Sequence, residues 1–253
     1  MSFKTSMLQA AIATLIATTS LNAHFQVVLT DKTVIEAAND AKIAIRYEFL
    51  HPFEKNYMQM AKPQEVGVFA NGKRTKIDVT AKKQEGFTVY SGAYTVKEPS
   101  VYQFYVDPAP YFEPSEQKFI RHQTKTIVDA FGAGEGWDEP VGLKAEIVPL
   151  ARPYSIIAGG LFSGVVLYKG KPVADATIEI EYYNDRGLKA PNEMTVTLAT
   201  KADSNGVFHV ALPLEGWWGF AALIDDDETI VKDGKKYPIE LGAVLWLKTV
   251  SYR

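Results

Sequence analysis

The sequence predicts an all-β protein built as two successive sandwiches behind a cleaved leader. Three observations predict it. Short runs rich in Val, Ile, Tyr and Phe recur from His24 onward, turn signals separate them, and helical periodicity is nearly absent. The 253 residues, 47% hydrophobic and 23% charged, supply enough apolar material for one large or two modest cores.

The first segment, 1–23, reads as a signal peptide. Lys4 carries its positive charge, Met7 to Ala17 is its apolar run, Thr18-Thr19-Ser20 is its polar region, and Ala23 is the small residue before the cut. The run is too short, and too interrupted by Gln9 and Thr14, to span a bilayer permanently, and no later stretch approaches the ~20 apolar residues a spanning helix needs. The expected address is periplasmic or secreted, with cleavage after Ala23.

Residues 24–150 form the first expected sandwich. Ile45, Tyr47 and Phe49 alternate with Arg46, Glu48 and Leu50, which is the period of a half-buried strand. Val66 to Ala70 runs into Asn71-Gly72, a dipeptide that takes the positive φ angles of a tight hairpin, and then into Lys76 to Val79. Phe87 to Tyr90 and Val101 to Val106 follow, the latter placing Tyr102, Phe104 and Val106 on one face. This spacing fits an immunoglobulin-like, seven-strand sandwich. Asp107 to Pro114, with Pro108, Pro110 and Pro114 around Tyr111-Phe112, reads as a loop, as does the glycine-rich, acidic Asp129 to Pro140 around Trp137. Loops this long inside a compact domain tend to be functional.

A boundary is expected near Pro149 to Ser155, and residues 155–253 form the second sandwich. Its strands are Phe162 to Leu167, Ala176 to Ile180 and Val207 to Leu212, with turns at Lys169-Gly170-Lys171-Pro172 and Asp203-Ser204-Asn205-Gly206. With Gly216-Trp217-Trp218, this order resembles the transthyretin-like or carboxypeptidase-regulatory type of small sandwich. Such modules are scaffolds, and the fold alone names no activity.

Composition excludes several function classes. The absence of cysteine removes disulfides, thiolate metal sites and thiol nucleophiles. The formal charge of −3, or −4 once Lys4 leaves with the leader, gives no basic footprint for nucleic acid. There is no H-E-x-x-H, G-x-S-x-G or glycine-rich phosphate loop, so no catalytic apparatus is visible and no enzyme activity is expected.

The four histidines are the informative residues. Cleavage after Ala23 makes His24 the mature N-terminus, where the free amine and Nδ1 can close on one metal ion in a six-membered chelate. His51 ends its strand on the parity of Ile45, Tyr47 and Phe49, and Pro52 stops the ladder after it. His122 shares a face with Ile120 and Thr124. His209 alternates with Phe208 and Val210, so it faces outward and is set aside. Each of His51 and His122 could equally be a core-edge residue bonded to backbone. Met58 and Met60 could offer thioethers to Cu(I), though packing is their ordinary role. Imidazoles, an amine and a carboxylate such as Glu54 or Glu113 would suit Ni²⁺, Co²⁺, Cu²⁺ or Zn²⁺, with the Irving–Williams order favouring Cu²⁺.

The sequence resembles the secreted NikK-like family, soluble components found with energy-coupling-factor nickel and cobalt uptake transporters and long known as a domain of unknown function. The matching stretches include His51-Pro52-Phe53-Glu54, Met60-Ala61-Lys62-Pro63, Tyr111-Phe112-Glu113-Pro114, Lys118-Phe119-Ile120-Arg121-His122, Glu135-Gly136-Trp137-Asp138-Glu139-Pro140 and Gly216-Trp217-Trp218-Gly219-Phe220. The resemblance implies a periplasmic protein that captures nickel, or cobalt, and presents it to a membrane permease. The family pattern of histidines carries over to His24, His51 and His122. Two other expectations stand beside it: a carbohydrate or cell-surface binding module using Tyr111, Phe112 and Trp137 or Trp217 and Trp218, and an oxidative copper enzyme using an amine–imidazole brace.

Overall fold

The computed structural model describes residues 24–252; the expected leader, 1–23, lies outside them. The described residues form nineteen strands and three single-turn 3₁₀ helices, so the all-β expectation holds. In order the strands are β1 (Phe25–Thr30), β2 (Val34–Ile35), β3 (Lys42–His51), β4 (Asn56–Tyr57), β5 (Glu65–Ala70), β6 (Lys73–Lys76) and β7 (Val79–Gln84). They continue with β8 (Phe87–Thr95), β9 (Ser100–Asp107), β10 (Tyr111–Glu113), β11 (Lys118–Ala130), β12 (Ala145–Pro149), β13 (Leu161–Tyr168) and β14 (Lys171–Pro172). The last five are β15 (Thr177–Tyr182), β16 (Thr197–Lys201), β17 (Val207–Ala211), β18 (Gly216–Lys232) and β19 (Lys235–Thr249). No helix among the described residues is long and apolar enough to cross a membrane.

The strands make three sheets. The first has the order β1-β3-β8-β7, with β4 on β3. The central sheet runs β16-β15-β18-β19-β11-β9-β5-β6, with β10 and β2 added to β11. The third is β12-β13-β14, with β17 on β13. The alternation read in Ile45, Tyr47 and Phe49 does face a buried cluster, which Tyr102, Phe104 and Val106 complete from β9. The hairpin at Asn71-Gly72 has φ of 50° and 69°, the doubly left-handed turn that joins β5 to β6.

Sheet membership places the division between halves differently from the 150–155 boundary read in the sequence. β11, from the first half, pairs in parallel with β19, from the second, through Phe119↔Ile239 to Thr126↔Trp246. β12 precedes the expected boundary yet pairs with β13, so the strands of the second sandwich begin at Ala145. A parallel pair needs a long crossover, here the whole of 131–234, and no local pattern in the sequence announces it.

The two expected loops are largely structured. Tyr111–Glu113 becomes β10, antiparallel to the start of β11, with Tyr111 opposite Ile120. The segment after β11 is held by buried polar groups. Asp129 accepts from the N–H groups of Gly132 and Gly134, and Glu146 accepts from those of Val141 (2.7 Å), Gly142 (2.9 Å) and Leu143 (3.3 Å) and from the buried Lys125 ammonium (2.5 Å). Gln103 donates to the carbonyls of Gly136 and Glu139. These bonds pin the loop to β9, β11 and β12.

Candidate metal centre

The register of β1 on β3 brings two of the histidines together. Phe25 lies opposite Leu50 and Gln26 opposite Phe49, so the next cross-strand position sets His24 against His51. Their ring centroids are 4.8 Å apart, close enough for one ion to join a nitrogen from each. Phe49 and Tyr111 complete an aromatic surround, with centroids 6.1 and 6.3 Å from the His24 ring.

Glu113, on β10, places Oε2 3.3 Å from Nε2 of His24. Ser115 holds this carboxylate through its N–H (3.0 Å) and its hydroxyl (2.5 Å). A carboxylate so placed keeps the ring proton on Nε2 and leaves the lone pair on Nδ1, the nitrogen that chelates together with a terminal amine. Glu113 thus orients the ring and raises its basicity, as carboxylates behind metal-bound histidines do. Glu54, by contrast, is exposed and accepts from the Asn56 amide.

Burial, and then the neighbouring imidazoles of His51 and His122, push the pKa of His24 down to about 4, against a smaller upward pull from Glu113. The ring is neutral at pH 7, the state that binds a metal. Burial pushes the Glu113 carboxyl up, but the Ser115 hydrogen bonds and the nearby histidines outweigh it, and its pKa lies below the usual carboxylate value.

His122 comes from the adjoining sheet, on β11, and is 2% exposed with neither ring nitrogen hydrogen-bonded. An imidazole buried without partners is costly unless a ligand serves it. The ring leans over β19, where Gly242 stands opposite it and leaves a slot; a Cβ on Gly242 would fall 2.3 Å from Cδ2 of His122. Nε2 of His122 is 3.8 Å from Oε1 of Glu240, longer than a hydrogen bond. His24, His51 and His122 thus share one rim of the molecule, but among the described residues no three His, Asp or Glu side chains are already gathered around one point in metal-holding geometry.

The remaining candidates behave as packing. Met60 is buried in the core beside β3, and its sulfur accepts from Gln26 Nε2 at 3.7 Å. Met58 packs half-buried on the same cluster. His209 is exposed and meets Ser163, as its outward parity predicts. Trp217 and Trp218 are buried, and Trp137 is half-buried against the core, so these indoles present no open stacking platform. Sequence reasoning did not find Glu240 or Gly242, because only the β11–β19 crossover brings them beside His122.

The profile of a family described as Domain of unknown function (DUF4198) matches residues 21–226. The chain belongs to this family. No curated protein matches the sequence of this DUF4198 member. Among solved structures it is similar to the D0-D1 domain of intimin, at 14% identity and a TM-score of 0.26, covering 90% of this chain and 100% of that one. It is also similar to the mouse nectin-like molecule 4 ectodomain (Ig1-Ig3), at 10% identity and a TM-score of 0.24, covering 87% and 63%. A third is trypsin-activated alpha-2-macroglobulin from Escherichia coli, at 9% identity and a TM-score of 0.25, covering 90% and 15%. At scores this low the likenesses bear on no function.

Proposed function

We propose that this DUF4198 member is an exported transition-metal-binding protein that captures Ni²⁺, with Co²⁺ or Cu²⁺ as the competing ions, and hands it to a membrane uptake permease. The ligands are His24, His51 and His122, and removal of the leader after Ala23 in the periplasm, or on secretion, frees the His24 amine to join them. The observation that carries this reading is the cross-strand pairing of His24 and His51 at 4.8 Å, with Glu113 turning Nε2 of His24 away from the chelating nitrogen. A neutral ring and a near-neutral amine, whose ordinary pKa is about 7.7–8.0, make both donors available at pH 7. Nickel and the permease come from the resemblance to NikK-like proteins; nitrogen donors alone would rank Cu²⁺ above Ni²⁺.

The test is calorimetric titration of Ni²⁺, Co²⁺, Cu²⁺ and Zn²⁺ into protein beginning at His24, beside protein carrying one extra N-terminal residue. The extension turns the amine into an amide and breaks the chelate, and a drop in affinity of at least tenfold is expected. Equal affinity in both forms, or no binding by either, would sink the proposal.

A further inference from the structure

A cavity of about 370 Å³ lies at the β16 edge of the central sheet. The two-residue period of the strands builds its floor. Trp218 stands opposite Tyr182 and Leu198 opposite Ile180, so Tyr182, Trp218 and Leu198 share one face. The Tyr182 and Trp218 rings meet edge to face, with centroids 5.2 Å apart. The wall comes from the connection between β15 and β16, which runs from 183 to 196. A hairpin commonly closes with about 2–5 residues, and connections much longer than that inside a compact domain tend to be functional. Here the excess supplies Leu188, Pro191 and Val196 to the cavity, and Phe53 and Leu214 close its remaining sides.

The walls are fastened. The buried Asn184 side chain accepts from the Leu188 N–H (2.7 Å) and donates to the carbonyls of Leu188 (2.8 Å) and Phe53 (3.1 Å), which ties the long connection to itself and to the segment after β3. The polar atoms of the lining side chains are turned into the walls and not toward the cavity. The Tyr182 hydroxyl donates to the Glu215 carbonyl (2.9 Å), the Trp218 indole to the Leu214 carbonyl (2.9 Å) and the Thr195 hydroxyl to the Asn192 carbonyl (2.7 Å). What is left facing the cavity is mostly carbon. Preformed apolar hollows of this kind are the usual seats of small organic molecules.

One charged side chain lines the cavity. Lys189 is exposed at its rim and has no ion pair among the described residues, and no lining residue is acidic. An apolar cavity of about 150 Å³ holds benzene, so there is room here for a body of roughly two fused rings. We infer that this cavity binds a small aromatic carboxylate, its rings among Phe53, Tyr182 and Trp218 and its charge on the Lys189 ammonium. Aromatic walls favour a flat aromatic body through offset and edge-to-face contacts. A carboxylate meets Lys189 without displacing another partner, whereas a cationic ligand would be repelled by it. Binding here needs no metal ion and goes beyond metal capture.

Calorimetry with 2-naphthoate, and with the neutral 2-naphthamide beside it, tests this on protein beginning at His24 with no metal added. Wild type should bind one 2-naphthoate and hold it about three- to fivefold more tightly than the amide at pH 7, the preference one exposed ion pair supplies. Lys189→Ala should erase that preference and leave the amide as it was. Ala190→Trp places an indole at a lining position on the connection, outside any strand, and should weaken both ligands at least tenfold, with a melting curve to show that the fold is kept. Equal affinity of wild type for acid and amide, or a preference that survives Lys189→Ala, overturns the carboxylate class. Undiminished binding by a folded Ala190→Trp protein puts the ligand elsewhere and overturns the site. Failure of wild type to bind 2-naphthoate overturns the proposal whatever the metal titrations give.

Discussion

Filling the slot beneath His122 should move that ring and destabilise the fold. In Gly242→Ala the new methyl would stand 2.3 Å from Cδ2, 2.7 Å from Cγ and 2.8 Å from Nε2 of His122, all closer than packed atoms allow. The ring is buried, so it must rotate rather than flex outward. Overpacking of this kind costs about 1–3 kcal/mol, while alanine's lower chain entropy in a strand returns about 0.5–1 kcal/mol. The net loss lies between about 0 and 2.5 kcal/mol, and its central value of about 1 kcal/mol should lower the melting temperature by roughly 2–4 °C for a chain of this size. Circular dichroism melts of wild type, Gly242→Ala, His122→Ala and the double variant measure it. Removing the imidazole vacates the space the methyl needs, so the double variant should be more stable than the sum of the single losses, with a coupling of about 1 kcal/mol or more. A Gly242→Ala protein that melts at or above wild type, or a cycle additive within about 0.5 kcal/mol, would refute the placement of His122 over β19.

Three further outcomes follow from named contacts. Lys125→Met leaves the buried Glu146 carboxylate with backbone donors alone and should cost about 3 kcal/mol, the lower end for breaking a buried pair. Glu146→Leu should cost more, because it also strands the N–H groups of Val141, Gly142 and Leu143; urea unfolding giving the reverse order would contradict this account of the loop. Glu181 is buried and its pKa is raised to about 8, chiefly by burial against weaker help from Thr197 and the Phe53 N–H. The folded state thus holds a proton that the unfolded state has released, and stability should fall as pH rises from about 4.5 to 8, by an upper bound of roughly 4–5 kcal/mol. Glu181→Gln should flatten that fall, and an unchanged pH profile would count against it. Glu113→Ala should weaken metal at His24 about 10–100-fold with little effect on melting; unchanged affinity would show that the carboxylate does not orient the ring.

The strands and their inner faces were legible because period-two alternation is local: Ile45-Tyr47-Phe49 and Tyr102-Phe104-Val106 needed only neighbours in sequence. The outward face of His209 and the hairpin at Asn71-Gly72 were readable for the same reason. His51 could be placed at a strand end by parity, and Pro52 marked the stop. The pairing of His24 with His51 was not readable, since it depends on the β1–β3 register, which the intervening 31–41 does not specify. β10 was hidden among prolines, and its pairing with β11 is what carries Glu113 to His24. Glu240 and Gly242 were out of reach altogether, because they join His122 through a parallel crossover more than a hundred residues long.

That crossover would also allow the chain terminus left by the proposed cleavage to serve as a ligand. Terminal residues ordinarily fray, and ordering them at the moment of binding takes free energy from the complex. Here all six residues of β1, immediately after His24, are buried. The Gln26 carbonyl accepts from the Trp246 indole (3.1 Å) and the Thr124 hydroxyl (3.3 Å), and its side-chain amide donates to the Glu48 carbonyl (2.9 Å). Two of these anchors belong to the first half and one to the last strand of the second. His24 is therefore held in register with His51 by the fold itself, so under the proposed cleavage a terminal histidine would meet its entropy cost during folding. In the proposed site the second sandwich would take part, because β19 supplies the Trp246 that fixes β1 and the Gly242 that seats His122.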